Sequence, residues 1–260
     1  MNGRVKPEKL DDIMNAIGNI WAVCKRELGS CFASPVAYVF IIIFLLLSGF
    51  FTFNVGGFFE RNEASLTGFF LWHPWLYLFL VPAIGMRLWA EERRGGTLEL
   101  LLTMPVTCWQ AITGKFLAAW AVLGLALLLT FPMLLTVMYL GEPDPGMLLS
   151  GYLGSFLLAG AYLALASMTS AMTRNQVVSF ILALSLCLFL ILAGWPPVTD
   201  LLVKWARPEL VSIIAGFSVI PHFDALQKGL LTLSSAVYFL SLIFFGLFVT
   251  AVILRSRRTR

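Results

Sequence analysis

Glu91-Glu92-Arg93-Arg94-Gly95-Gly96-Thr97-Leu98-Glu99-Leu100-Leu101-Leu102-Thr103-Met104-Pro105-Val106 is a polar segment set between two long apolar stretches. The chain is otherwise poor in charge, yet Arg87, Glu91, Glu92, Arg93, Arg94, Glu99 and Lys115 gather in and around this one loop. Gly95-Gly96 permits a sharp turn. Thr97 can cap a short helix whose apolar side is Leu98, Leu101 and Leu102, and Pro105 ends that helix at Met104. Thr107 to Gln110 reads Thr-x-x-Gln, a capping box that opens a new helix running through Lys115 into the next apolar stretch. The pattern predicts a short helix rigidly joined to two spans: a lever, set against the plainer reading of a solvated loop with interfacial leucines.

The rest of the chain supplies the solvent for that lever. Hydrophobic residues make up 59% and charged residues 12%. Soluble domains carry about a quarter charged residues, so lipid is the solvent this composition fits. Six apolar segments are each long enough to span, at residues 35–55, 69–88, 116–140, 147–172, 177–194 and 233–254. Pro82 and Pro132 fall within the second and third and predict kinks. The polar start of the chain lacks the short apolar core of a signal peptide, so the first segment is expected to stay as an anchor. With the N-terminus inside, 14 of the 18 Lys and Arg lie on the inner side, and six spans return the basic tail to that side. The tail, Arg255 to Arg260, is expected to hold the last span against anionic headgroups.

Two further intervals have their own character. Residues 11–34 place Ile13, Ile17, Ile20, Trp21 and Leu28 at helical spacing with charges between, which predicts an amphipathic helix along the inner surface. Residues 195–232 mix four prolines with apolar runs too short to span and read as outer or re-entrant helices. Membrane lipids are therefore expected contacts on both faces.

Several function classes are disfavoured. All 14 Asp and Glu lie outside the six segments, which argues against a proton- or sodium-coupled carrier and against a charged-ring channel. No metalloprotease or nucleophile-elbow motif is present. Gly114-Lys115 is no P-loop, because position 109 is Trp109 and Phe116 follows the lysine, so no ATP site, catalytic residue or cofactor is expected in this chain. Cys24, Cys31, Cys108 and Cys187 form no C-x-x-C pair, and with two histidines a metal cluster is not expected. His222 and Asp224, two apart in the outer segment, read as a hydrogen-bonded loop pair rather than a catalytic couple. No basic, aromatic-interleaved patch marks a nucleic-acid site. Gly151, Ser155 and Ala159 form a small-residue stripe for helix packing within the chain or across a dimer seam.

The loop also resembles a known signature. The pattern Glu-x-x-x-Gly-Thr-x-Glu-x-Leu-Leu-x-x-Pro-Val followed by Gly-Lys is that of type-2 ABC export permeases, and Gly96-Thr97-x-Glu99 fits it with one extra glycine at Gly95. The runs Lys25-Arg26-Glu27-Leu28 and Ser34-Pro35-Val36-Ala37-Tyr38-Val39 are similar to the gliding-motility (Gld-type) branch. The branch serving nitrous-oxide-reductase maturation is a weaker match. The resemblance implies an all-α polytopic permease fold with six transmembrane helices and both termini cytosolic, in the bacterial inner membrane. Residues 1–34 would be a cytosolic tail and connecting helix, 35–260 the transmembrane domain, 89–115 the coupling-helix loop and 195–232 the outer re-entrant segment. Glu91, Glu92, Arg93 and Glu99 would meet the rim of a cytosolic ATPase subunit, which would bind ATP and magnesium. Thr97, Leu98, Leu101 and Leu102 would seat the coupling helix in that subunit's groove, and Pro105 and Thr107 would set its angle. A second permease chain, identical or related, and an extracytoplasmic accessory protein are the other implied partners. The alternative function is a membrane scaffold with no transport cycle.

Overall fold

An apolar segment in lipid must satisfy its own backbone N–H and C=O groups, and helical bonding does so without a neighbour. The computed structural model describes residues 7–58, 60, 65–96, 106–205, 208–230 and 232–258, and the regular structure among them is helical. Helix α1 covers Pro7–Ala33. Helix α2 covers Pro35–Phe50 and ends in a π-helical turn, Phe51–Val55. A short α3, Thr67–Phe70, leads to α4, His73–Gly85, and α5, Arg87–Gly95. Then come α6, Cys108–Leu128; α7, Phe131–Leu140; α8, Pro145–Met172; and α9, Gln176–Leu192. Three short helices follow, α10 at Pro196–Trp205, α11 at Pro208–Gly216 and α12 at Val219–Gln227, before α13, Leu233–Arg258.

Four of these segments are long and apolar enough to cross a bilayer: Pro35–Val55, Cys108–Leu140, Pro145–Met172 and Leu233–Ser256. The two remaining predicted spans form shorter helices. The stretch at 69–88 breaks at Leu71–Trp72 and again at Met86, and α9 is 17 residues long. The helix starts follow the local chemistry. Ser34, Asp144 and Asn175 each accept a backbone N–H two residues on, and proline occupies the first turn of α2 and α8, where its missing N–H leaves no bond unmade.

Within the spanning segment Cys108–Leu140 the helix is interrupted, as expected, at Pro132. The chain breaks just before it, at Leu129–Thr130, where the Thr130 hydroxyl donates to the Leu127 carbonyl at 2.6 Å. Pro132 then sits in the first turn of α7, the place a helix tolerates it. Helix α1 is expected to lie along the inner surface by its apolar face. Ile17 and Trp21, from the face expected to be its main apolar side, are 61% and 66% exposed, whereas Val23 and Cys24 are buried against α6. Helix α1 therefore docks by a narrow strip and leaves its wider apolar face outward.

Helix α8 is the axis of the bundle, with 72% of its spanning window buried. Its glycines, alanines and serines let neighbours come close, and α4, α6, α9, α12 and α13 all pack on it. The core around it includes Phe44, Tyr77, Leu158, Tyr162, Phe223 and Phe239. At one end a smaller apolar cluster joins Trp89, Ala111, Ile112, Ala171, Ala251 and Leu254, tying α5, α6, α8 and α13 together.

Candidate coupling site

At that end, Lys115 lies in the second turn of α6 with its side chain only 4% exposed. A lone buried ammonium is strongly unfavourable, so its partners decide whether the site can exist. The Lys115 ammonium sits 3.1 Å from Glu27 Oε2 on α1 and 2.8 Å from Glu92 Oε1 on α5. It also stands 5.4 Å from the centre of the Trp89 ring. One cation thus joins three helices. Burial pushes the Glu27 carboxyl up, but the Lys115 charge and the hydrogen bonds from Arg26 and Lys115 outweigh burial and hold it below the usual carboxylate range.

The start of α5 is fixed from a distant helix. The Ser170 hydroxyl on α8 accepts the backbone N–H groups of Trp89 and Ala90, both at 3.0 Å, and donates to the Met86 carbonyl at 2.8 Å. The first N–H groups of a helix have no partner within it, and Ser170 supplies one from outside. The Trp89 indole N–H donates to Ser167 Oγ at 3.0 Å, and Arg93 donates to the Ala171 carbonyl. Helix α5 is bolted along its length to the end of α8.

The other side of the site is the crossing of α1 over α6. A Cβ at Gly114 would stand 2.8 Å from Val23 Cβ and 3.0 Å from the Ile20 carbonyl oxygen, so the helices meet this closely only because position 114 has no side chain. The start of α6 is set by the capping box: Thr107 N–H donates to Gln110 Oε1 at 2.8 Å, and Gln110 N–H to Thr107 Oγ1 at 3.3 Å. The end of α5 is set by Gly96, which adopts the left-handed conformation, φ 71°, and bonds back to the Glu92 carbonyl.

Of the residues expected to meet a partner, Thr97, Leu98, Glu99, Leu101, Leu102 and Pro105 lie outside the described residues. Glu91 is exposed and paired with Arg87 at 3.1 Å. Glu92 and Arg93 are turned toward the chain's own helices, and Thr107 caps α6. Gly151, Ser155 and Ala159 face the interior: Gly151 abuts the Phe70 ring, Ser155 Oγ lies 2.8 Å from the Tyr77 hydroxyl, and Ala159 is buried. His222 and Asp224 are not a loop pair. They lie on α12, where residues two apart do not face each other, and His222 stacks on Tyr238 at 4.2 Å with Ser235 Oγ 3.4 Å from its Nδ1. Among the described residues no three His, Cys, Asp or Glu side chains converge as a metal site would require. The parts that sequence reasoning left out are Glu27 as a partner of Lys115, and Trp89, Ser167 and Ser170. A charged residue about two turns before an apolar span, and two serines three apart near a helix end, were the available signals.

The family described as ABC-2 family transporter protein matches residues 21–254. A protein of Pseudomonas aeruginosa (strain PAO1), named probable ABC transporter permease protein NosY, is 30% identical over 184 residues, which is 66% of this chain and 67% of the relative.

Proposed function

Because this chain belongs to the ABC-2 family of transporter proteins, we propose that it is the permease subunit through which a separate ATPase drives export or transmits force across a bacterial inner membrane. The NosY similarity supports a permease reading, since that relative is named as one. The sequence motifs support the gliding-motility branch. The proposed topology is six spans with both ends cytosolic, carried by the charge asymmetry of the loops. Helices α10 to α12 would then lie on the outer side, and residues 97–105 would form the coupling helix on the inner side. ATP and magnesium would be held by the partner, and a second permease chain would complete the transporter. An extracytoplasmic accessory protein would sit on the outer face.

The observation that supports coupling is the Lys115 clamp. The loop 96–107 leaves from α5 and returns to α6, and Lys115 pins these two stems to each other and to α1. A push on the loop is therefore delivered to α1, α6 and, through Ser170, to α8 as one body. Glu91 lines a cleft with Arg87, while Arg94, exposed beside the loop, and Glu99 would meet the rim of a partner. Leu98, Leu101 and Leu102 would fill its groove.

The test is affinity purification of the tagged chain from membranes in mild detergent. A stoichiometric P-loop ATPase is expected, lost or uncoupled in Glu99→Lys and Leu101→Asp while the chain stays folded. Recovery of the chain alone, or with partners that hydrolyse no ATP, would instead establish a scaffold.

A further inference from the structure

A cleft of about 420 Å³ opens between α1, α2, the α4–α5 junction and α6, on the side of the Lys115 cluster away from α8. Its volume lies in the range of small-molecule sites, of order 300–1,000 Å³. The walls divide by height. On α6 and at the α4–α5 junction the charged residues Lys115, Arg87, Glu91 and Glu92 lie toward one end and the apolar Val122 and Ile84 one to two turns further along, and α1 adds Arg26 and Glu27 and α2 Val36. Val36 is the second residue of the spanning segment Pro35–Val55. The change from charged to apolar residues therefore falls where a bilayer changes from headgroup to acyl chain.

The charges of the cleft balance: three cations and three anions. Lys115, Glu27 and Glu92 are engaged with one another and at most 20% exposed, so they form a fixed wall. Arg26 pairs with Glu27 at 2.8 Å and Arg87 with Glu91 at 3.1 Å, but the Arg26, Arg87 and Glu91 side chains are 50%, 34% and 55% exposed, and ion pairs this exposed exchange partners at little cost. A purely anionic ligand would face the carboxylates, and a purely cationic one the guanidiniums. A ligand with a phosphate and a primary ammonium meets both, and the first carbons of its chains meet the apolar residues before the chains leave the cleft for the bilayer.

We propose that the cleft seats one phospholipid of the phosphatidylethanolamine type, its phosphate toward Arg26 and Arg87 and its ammonium toward Glu91. Such a lipid fills the angle between α1 and the start of α2, beside the clamp. Cys31 lines the same cleft and is partly exposed, which provides a reporter. Burial and the Glu27 carboxylate push its thiol up, so it reacts slowly and its protection is easily timed.

The test uses the full chain, with whatever partners copurify, stripped of lipid in detergent. Native mass spectrometry is run with phosphatidylethanolamine and, separately, phosphatidylglycerol of the same acyl chains. In parallel, maleimide labelling of Cys31 is timed in a Cys108→Ser background, because Cys24 and Cys187 are buried. One phosphatidylethanolamine per chain is expected, bound about 10-fold more tightly than phosphatidylglycerol, with Cys31 labelling slowed by the former. Arg87→Gln should weaken that binding about 10-fold, the loss expected for one charge-assisted hydrogen bond. Ser30→Trp, at an exposed position on the cleft, should remove the protection without touching the charges. Equal or tighter retention of phosphatidylglycerol overturns the proposal. So does equal protection of Cys31 by glycerophosphoethanolamine, which has the headgroup and no chains, or retention of the lipid with Cys31 unprotected.

Discussion

The Lys115 ammonium meets the Glu92 carboxylate at 2.8 Å and so closes the base of the loop that separates α5 from α6. The ends of a loop held this way are fixed whatever its tip does. With Glu27 on the same cation, α1 belongs to the same rigid unit, although the sequence places it before the first span. The physical content of the lever is this shared buried charge.

Lys115→Met tests the clamp directly. Removing one partner of a buried ionic cluster is expected to destabilise by about 3 kcal/mol, at the low end of the usual range because Glu27 and Glu92 keep some access to water. Thermal unfolding of the purified chain in detergent reads this loss. Adding Glu27→Gln and Glu92→Gln to the same chain should restore part of it, since no unpaired carboxylate then remains. An unchanged melting curve for Lys115→Met would show that the three helices are held by other means.

Gly114→Val places a branched side chain against Val23 and the Ile20 carbonyl. Neither a β-carbon nor a backbone oxygen can swing aside, so α1 must lift from α6, at about 1–3 kcal/mol. Lys25 and Arg26, both on α1, should become markedly faster sites of tryptic cleavage. Cleavage at the native rate would mean that the crossing tolerates the added volume.

Ser170→Ala leaves the N–H groups of Trp89 and Ala90 and the Met86 carbonyl without the hydroxyl they share. Buried groups left unsatisfied carry about 1–3 kcal/mol. Hydrogen exchange at the start of α5 should accelerate while the centre of α8 stays protected. Uniform protection in the variant would separate α5 from its anchor on α8.

Acid should release α1. The Glu27 carboxyl titrates lower in the folded protein than its ordinary value of 4.5, so its contribution is complete above about 4.5 and is lost as pH falls through the lower folded value. The melting temperature of the native chain should drop in that acidic window, and Glu27→Gln should lack that component. Identical acid profiles for the two chains would place the titration elsewhere.

Hydropathy made the long helices legible, because a run of Val, Ile, Leu and Phe in lipid has only helix available to it. The capping box at Thr107 and the turn at Gly96 were also legible, since both depend on residues a few positions apart. The break at Leu71–Trp72 follows from Pro74 in the first turn of α4, whereas the one at Met86 was not legible, because its carbonyl is held by Ser170 on α8. Periodicity gave α1 an apolar face toward the inner surface, where Ile17 and Trp21 are exposed, but did not announce the narrow strip at Val23 and Cys24 that is buried. The partners of Lys115 and the reach of Ser170 are long-range pairings, and no spacing rule within one chain announces them.

The Ser170 bridge also sets an order of manufacture. Translation delivers the chain from its N-terminus, and the backbone groups that Ser170 serves precede it by 80 residues or more. On the ribosome, α5 therefore emerges with its first turn unfinished and waits for α8 to enter the bilayer. A nascent chain stalled before residue 170 carries a half-built stem. The part that a partner would push is completed only by a segment that arrives much later.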